Sequence, residues 1–337
     1  MITIYDNVDG LLVARSGEVA ITAATVWIDL FHPTREEDTR VEQALGILVP
    51  TREEMSEIEA SSRIYQEAGA HVMTAIILSL TEGEKRASQD MGRPRRDEPD
   101  IATPVTFMLT ANRLVTVRYG EPRGFKLYLT RAQKKDVSCT TGQSVLMGLL
   151  EAIIDRAADR VERIQAEVDQ LSHTIFGLTG EERSKARRFD VNIKNIGREG
   201  ELTSRSRESL LSLERLLTYL SHAMSERGDD KALRARVKTA HRDVQSLNDH
   251  VGYLSVKINF LLDATLGMIN NEQNTIIKIF SVLSVALMPP TLVGTIYGMN
   301  FKHIPELEWV FGYPMALGVM VISAVLPYLY FKRKGWL

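Results

Sequence analysis

The stretch Ile279–Phe301, IFSVLSVALMPPTLVGTIYGMNF, carries no charged residue, and its reading decides the fold. A helix needs about 20 predominantly apolar residues to cross the hydrocarbon core of a bilayer, and this run supplies them. A second uncharged run, Trp309–Phe331 (WVFGYPMALGVMVISAVLPYLYF), follows the short connection KHIPELE at 302–308. Two such runs in tandem predict a transmembrane hairpin. The competing reading, two buried helices of a soluble core, rarely produces tandem apolar helices of this length. Charge sets the orientation: Lys332, Arg333 and Lys334 directly follow the second run, whereas the connection holds one lysine and two glutamates. By the positive-inside rule both termini are expected in the cytoplasm and the connection outside, with Trp309 and Tyr330 as interfacial aromatics.

Composition narrows the class of the remainder. The 337 residues have a formal net charge of −2, so no basic excess is present to neutralise nucleic-acid phosphates. The single cysteine, Cys139, allows neither a disulfide framework nor a multi-thiolate zinc site. The first ten residues, MITIYDNVDG, lack the basic and apolar regions of a cleaved signal peptide. The histidines are scattered, no glycine-rich phosphate loop precedes a helix, and no nucleophile–base pattern stands out, so an enzyme is not expected and no organic cofactor is implied.

Working outward, the N-terminal third reads as mixed α/β. TVWIDLF (Thr25–Phe31) alternates like a strand, and PTREED (33–38) and PTREEM (50–55) each place Thr three residues before Glu, the signature of a capping box. HVMTAIILSL and TPVTFMLTANRLVTVRYG read as strands, the latter a hairpin turning near Asn112, with GRPRRDEPD (Gly92–Asp100) as a surface loop. No proline occurs between Pro122 and Pro289, and periodicity predicts helices near 142–175, 182–224 and 229–297. The last runs from the cytoplasm into the first span. The expected fold class is an α+β membrane protein. Its expected parts are a cytoplasmic α/β domain (1–135), a cytoplasmic helical hairpin (136–228), a stalk helix (229–275), transmembrane helix 1 (276–301), an outer loop (302–308), transmembrane helix 2 (309–331) and a basic tail (332–337). Val244, Leu247, Val251, Leu254, Ile258, Leu261, Leu262 and Ala264 give the stalk an apolar packing stripe.

The first span has two faces. Asn274, Ile277, Ser281, Ser284, Met288, Thr291, Thr295 and Gly298 recur at steps of three and four and share one side of a helix. Ile279, Leu283, Ala286, Leu287 and Val293 occupy the other. Small and hydroxylated residues on one side are the mark of close helix packing in a membrane. In a symmetric oligomer the same stripe becomes the lining of a central channel. Two spans cannot enclose a pore alone, so the channel reading requires cyclic oligomers. Lys278 sits where the helix enters the membrane and can snorkel to the interface.

YGMNF (Tyr297–Phe301) directly after the first of two spans, followed by IPELEW, resembles the CorA family of magnesium transporters, whose hallmark is a Gly-Met-Asn triplet at this place. Ile304 stands where most members of the family carry Met. The resemblance extends over 265–337 and, more loosely, over an α/β domain feeding a long stalk. It implies a homopentamer in the lipid bilayer of a bacterial inner membrane, multi-pass, with the first spans around the pore. It implies that Gly298, Met299 and Asn300 form the selectivity filter, with a ring of Asn300 carboxamides at the outer mouth. Asn274 matches the family's inner pore asparagine, Met288 and Thr291 its pore methionine and threonine, and Ile277, with Phe280, its inner constriction.

The chemistry agrees with magnesium. Mg²⁺ demands near-octahedral oxygen coordination and sheds water reluctantly, so neutral amides and hydroxyls suit the hydrated ion. A stripe without charge also binds weakly enough to release it. Glu306 and Glu308 in the outer loop would concentrate cations. The resemblance further implies cargo that includes Co²⁺ and Ni²⁺, and closure by cytoplasmic Mg²⁺ bound between subunits. Asp243, Asp249 and Asp263 on the stalk, together with acidic residues of the α/β domain, are candidate ligands of that regulatory Mg²⁺. A Zn²⁺ transporter of the same superfamily is the near alternative, disfavoured by Met299. A membrane-anchored coiled-coil scaffold or sensor is the alternative of another class.

Overall fold

The structure is a computed structural model describing residues 1–16, 20–57, 59–79, 101–133, 139–177, 185–227, 230–300 and 304–336. The expected surface loop Gly92–Asp100 and residues 301–303 of the connection lie outside the described residues. The chain divides into two units, one comprising 1–180 and 192–261, the other 181–191 and 262–337.

The first unit opens with strands β1 (Ile2–Val8) and β2 (Leu11–Ser16), joined by Asp9-Gly10 with both residues at positive φ. That pair is the favoured two-residue hairpin turn, whose twist matches that of its strands. Strand β3 (Thr25–Phe31) follows, then helices α1 (Arg35–Leu45), α2 (Arg52–Met55) and α3 (Ala60–Arg63). Thr34 and Thr51 each accept from the Glu backbone three residues on, and each Glu carboxylate answers the Thr amide, so both expected capping boxes form. Strands β4 (Ile64–Glu67), β5 (Ala70–Ser79), β6 (Ile101–Leu109) and β7 (Leu114–Arg118) complete a seven-stranded sheet in the order β2-β1-β3-β7-β6-β5-β4. Every pairing is antiparallel except β3 with β7 at the centre.

Strand β3 is buried on both faces, as its alternating side chains require. Ile28 and Leu30 join Ile2, Ile4, Val41, Val115 and Val117 in a core on the α1 side. Trp27 faces the other way, stacked on Tyr5 at 4.2 Å and flanked by Phe125 and Tyr128 of helix α4 (Arg123–Ala132). Asp29 shares that side. Its carboxylate takes hydrogen bonds from Thr116 Oγ1 (2.7 Å) and the Arg118 guanidinium (2.8–3.1 Å), whose plane also lies over Phe31 and Phe125. A buried charge tolerates this place because each of its oxygens is paired.

Three long helices follow: α5 (Gly142–Phe176), α6 (Lys185–Arg227) and α7 (Lys231–Tyr297). Helix α5 starts jammed against the β6–β7 turn. A Cβ on Gly142 would lie 2.4 Å from the Arg113 carbonyl carbon, so only glycine fits. Within the first unit the helix directions follow from side-chain pairs. Arg236 chelates Glu151 (2.8 and 2.9 Å), His250 meets Gln165 (2.9 Å) and Lys257 pairs with Asp169. These partners advance together along both helices, so α7 runs parallel to α5. Thr218–His241 and Asn248–Glu214 advance in opposite senses, so α6 runs antiparallel to α7. Most of the expected stalk stripe is covered: Val244, Val251, Leu254, Ile258 and Leu261 are buried, and Leu247, Leu262 and Ala264 are half-buried. Helix α6 also reaches the sheet, where Ser212 Oγ accepts from the Ile76 amide at 2.8 Å.

In the second unit, the last stretch of α7 is followed by a 3₁₀ turn (Pro305–Glu308) and helix α8 (Gly312–Arg333). Helices α7 and α8 are both long and apolar enough to cross a membrane. Tail residues fold back on α8: Trp336 packs on Phe331 at 5.2 Å, and the Lys334 ammonium lies over Tyr330.

Candidate ion path

The carboxyl-terminal part of α7 carries Pro289 and Pro290 inside a continuous helix. A proline offers no amide to the carbonyl four residues before it, so the Val285 and Ala286 carbonyls lose their helical donors. Directly beyond, Thr291 Oγ1 donates to the Leu287 carbonyl and Thr295 Oγ1 to the Thr291 carbonyl, each at 2.8 Å. These hydroxyl protons are committed to the backbone, so what each threonine presents outward is an oxygen lone pair.

The helix ends at the triplet. The Gly298 amide still bonds to the Gly294 carbonyl at 3.0 Å and the Met299 amide to the Ile296 carbonyl at 3.3 Å, after which Asn300 leaves the helix. A Cβ at Gly298 would come within 3.1 Å of the Gly294 carbonyl oxygen, tighter than carbon usually approaches. Gly298, Met299 and Asn300 are all exposed in the single chain.

Exposure separates the two faces of the span. Val282 is buried (4 % exposed), and Ala286, Pro289, Pro290, Val293 and Tyr297 are half-buried. At about 100° per residue these positions lie on one side of the helix. Ser281, Ser284, Met288, Thr291, Thr295 and Gly298 lie on the opposite side and are exposed, as are Asn274 and Ile277, with Met288 at 70 % and Ile277 at 61 %. Phe280 is exposed as well. The stripe is therefore not the face that the chain covers with its own residues. The side expected to be greasy behaves unevenly: Ala286 and Val293 are partly covered, whereas Ile279, Leu283 and Leu287 are exposed.

Two positioning residues went unread in the sequence. Gly294 faces Met320 of α8, so that a Cβ there would sit 3.3 Å from the Met320 methyl. Gly312 is buried beneath the 3₁₀ turn, where a Cβ would fall 2.0 Å from the Glu306 carbonyl oxygen. The Gly312 amide bonds to the Trp309 carbonyl at 3.0 Å, closing the turn onto α8. This places Glu306 half-buried and Glu308 exposed.

Asp243, Asp249 and Asp263 are all exposed on α7. The first two stand about 9 Å apart along the axis at 1.5 Å per residue, and Asp263 lies further along. One ion cannot be shared by such a set within one chain. Among the described residues no group of three or more metal-binding side chains converges.

The family model "CorA-like Mg2+ transporter protein" matches residues 22–333. The magnesium transport protein CorA of Escherichia coli K12 is 37 % identical over 314 residues, which is 93 % of this chain and 92 % of that protein. The CorA of Yersinia pseudotuberculosis is 36 % identical over 317 residues, 94 % and 93 % of the two chains. Among solved structures, the complete CorA magnesium transporter from Methanocaldococcus jannaschii superposes with a TM-score of 0.74 at 19 % identity, covering 100 % of this chain and 99 % of that one. The full-length CmaX protein superposes at 0.67 with 13 % identity, covering 99 % and 97 %. The cytoplasmic domain of ZntB from Vibrio parahaemolyticus, at 0.55 and 9 %, covers 80 % of this chain and 98 % of its own. These three structures speak to the fold alone, whereas the sequence match carries the assignment: the chain belongs to the CorA-like Mg²⁺ transporter family.

Proposed function

We propose that the chain is a subunit of a divalent-cation channel that admits Mg²⁺ into the cytoplasm. The observation that carries this is the neutral stripe Ser281–Gly298. It is oxygen-bearing, lies opposite the face that the chain itself covers, and ends in an exposed Gly-Met-Asn triplet. A stripe that faces away from its own chain needs other copies to enclose it, and a homopentamer follows the family's plan. Gly298, Met299 and Asn300 form the filter, and the Asn300 carboxamides accept hydrogens from the water shell of the ion. Below them Thr295, Thr291, Met288, Ser284 and Ser281 line the path down to Ile277 and Asn274. The threonine lone pairs are oriented for the same hydrated cargo, which spares the ion a heavy dehydration cost. Co²⁺ and Ni²⁺, with similar octahedral shells, are further cargo. Glu306 and Glu308 raise cation concentration at the outer mouth.

The two apolar helices sit in the bacterial inner membrane with both termini cytoplasmic, and 1–135 and 136–228 form the cytoplasmic part. Regulation uses Mg²⁺ held between neighbouring copies by stalk carboxylates, with Asp243, Asp249 and Asp263 as the ligands on this chain. Their separation along one helix supports ligation completed by carboxylates from a neighbouring copy. Raised internal Mg²⁺ then offsets carboxylate repulsion and favours a closed state in which Ile277 and Phe280 constrict the path.

The test is Mg²⁺ uptake into proteoliposomes with an internal magnesium-sensitive dye. Uptake by the wild type that collapses in Asn300→Ala supports the pore and its filter. Surviving uptake in the variant removes the filter assignment. No uptake by pentamers at low internal Mg²⁺ favours a scaffold instead.

A further inference from the structure

We propose that the first unit holds an oxyanion site, suited to a phosphoryl group, in the cleft where the end of β5 meets helices α4 and α5. The cleft is walled by Ser79 of β5, Arg123 and Gly124 in the first turn of α4, and Arg156, Arg160 and Arg163 of α5. Among the described residues no aspartate or glutamate lines it. Its volume is about 50 Å³, room for a few waters at about 15 Å³ each, or for one small oxyanion.

The cleft concentrates positive charge. Arg156, Arg160 and Arg163 fall at i, i+4 and i+7 on one face of α5, where like charges repel one another. Arg156 bonds to Asp159 at 2.9 Å, and the Arg160 charge acts on the Glu199 carboxyl. Arg123 and Arg163 have no carboxylate partner among the described residues, and the Arg163 Nε donates only to the Asp159 backbone carbonyl at 3.3 Å. The α4 amino end adds positive potential: its cap, Pro122, supplies no side-chain acceptor for the first-turn amides. That turn is held at the cleft by close packing, since a Cβ on Gly124 would meet Ile153 at 2.7 Å. Guanidinium forks match a tetrahedral oxyanion with paired hydrogen bonds, which lysines would not reproduce.

The chemistry is that of free phosphate or of the phosphoryl group of a nucleotide. Isothermal titration of the full-length protein in detergent, with inorganic phosphate and separately with ATP in EDTA, tests the site independently of transport. Saturable binding is expected, weakened about tenfold or more in Arg156→Gln/Arg163→Gln. One charge-assisted hydrogen bond is worth ~1.5–3 kcal/mol, and ~1.4 kcal/mol is a factor of ten. Arg131→Gln, outside the cleft, should leave binding unchanged. ATP binding that phosphate displaces assigns the site to a nucleotide, and phosphate binding without ATP binding assigns it to a small oxyanion. If a natively helical protein binds neither probe saturably, or if the double variant binds as the wild type does, the proposal is overturned.

Discussion

Helices α5 and α7 are built from the same apolar residues, yet they treat them in opposite ways. Leu146, Leu149 and Leu150 of α5 are fully buried, whereas Leu283, Leu287 and Leu292 near the end of α7 stand 52 %, 55 % and 60 % exposed. The first set is covered by the sheet and α4. In the second, the single chain leaves apolar side chains open along most of the helix, and the hydrophobic effect does not tolerate such an area in water. A membrane is the solvent that suits a helix this long and apolar. The lesson is that hydrophobicity alone does not locate a core; what matters is whether the chain supplies the covering surface.

The comparison can be broken at several points. The largest expected effect is on flux: Asn300→Ala should reduce Mg²⁺ uptake to under about a tenth, while thermal unfolding of the first unit stays put. A change in both would mean that the triplet holds the fold rather than the ion. Next, Asp29→Ala leaves Arg118 buried and uncompensated, a loss of about 3–5 kcal/mol for a broken buried pair. Denaturant unfolding of the full chain in detergent would measure it, and a loss below 1 kcal/mol would show the pair to be dispensable. The direct contrast is Leu149→Ala against Leu283→Ala. A buried leucine truncated to alanine costs about 2–5 kcal/mol, so Leu149→Ala should lie in that range and Leu283→Ala well below it. Equal losses would place Leu283 in a packed interface between copies.

The smallest effect concerns charge. Glu199 is buried on α6, and burial raises its carboxyl above the ordinary glutamate range, with Arg198 and Arg160 opposing the shift and Glu167 reinforcing it. A carboxyl whose pKa is raised in the folded state contributes stability at pH below its unfolded pKa. That contribution is lost as pH rises through the folded value. Glu199→Gln should therefore modestly raise the unfolding temperature at neutral pH, with the gain shrinking towards acid. A gain that grows on acidification would show that the carboxylate is stabilised there.

Much of this was legible from local pattern. The two capping boxes, the strands Thr25–Phe31 and Ala70–Ser79 and the long helices carry their own signals, because caps and periodicity act within a turn or two of chain. The β1–β2 hairpin was readable in Asp9-Gly10 yet went unread, as did helix α4, which begins at Pro122 without a side-chain cap. The roles of Gly142, Gly294 and Gly312 were not legible. Each is defined by an atom distant in sequence or across a turn: the Arg113 carbonyl carbon, the Met320 methyl and the Glu306 carbonyl.

By itself the sequence determined the two uncharged spans, the Gly-Met-Asn ending, the polar stripe and the stalk, because each depends on the order of residues along a single helix. Tertiary structure alone decided that the stripe turns away from the face covered within the chain. It also decided that Asp29 and Arg118 close on each other across the centre of the sheet, and that four arginines line one cleft. Those facts depend on which surfaces meet. A helical period of 3.6 residues fixes which side chains share a face, but only packing fixes what that face looks at.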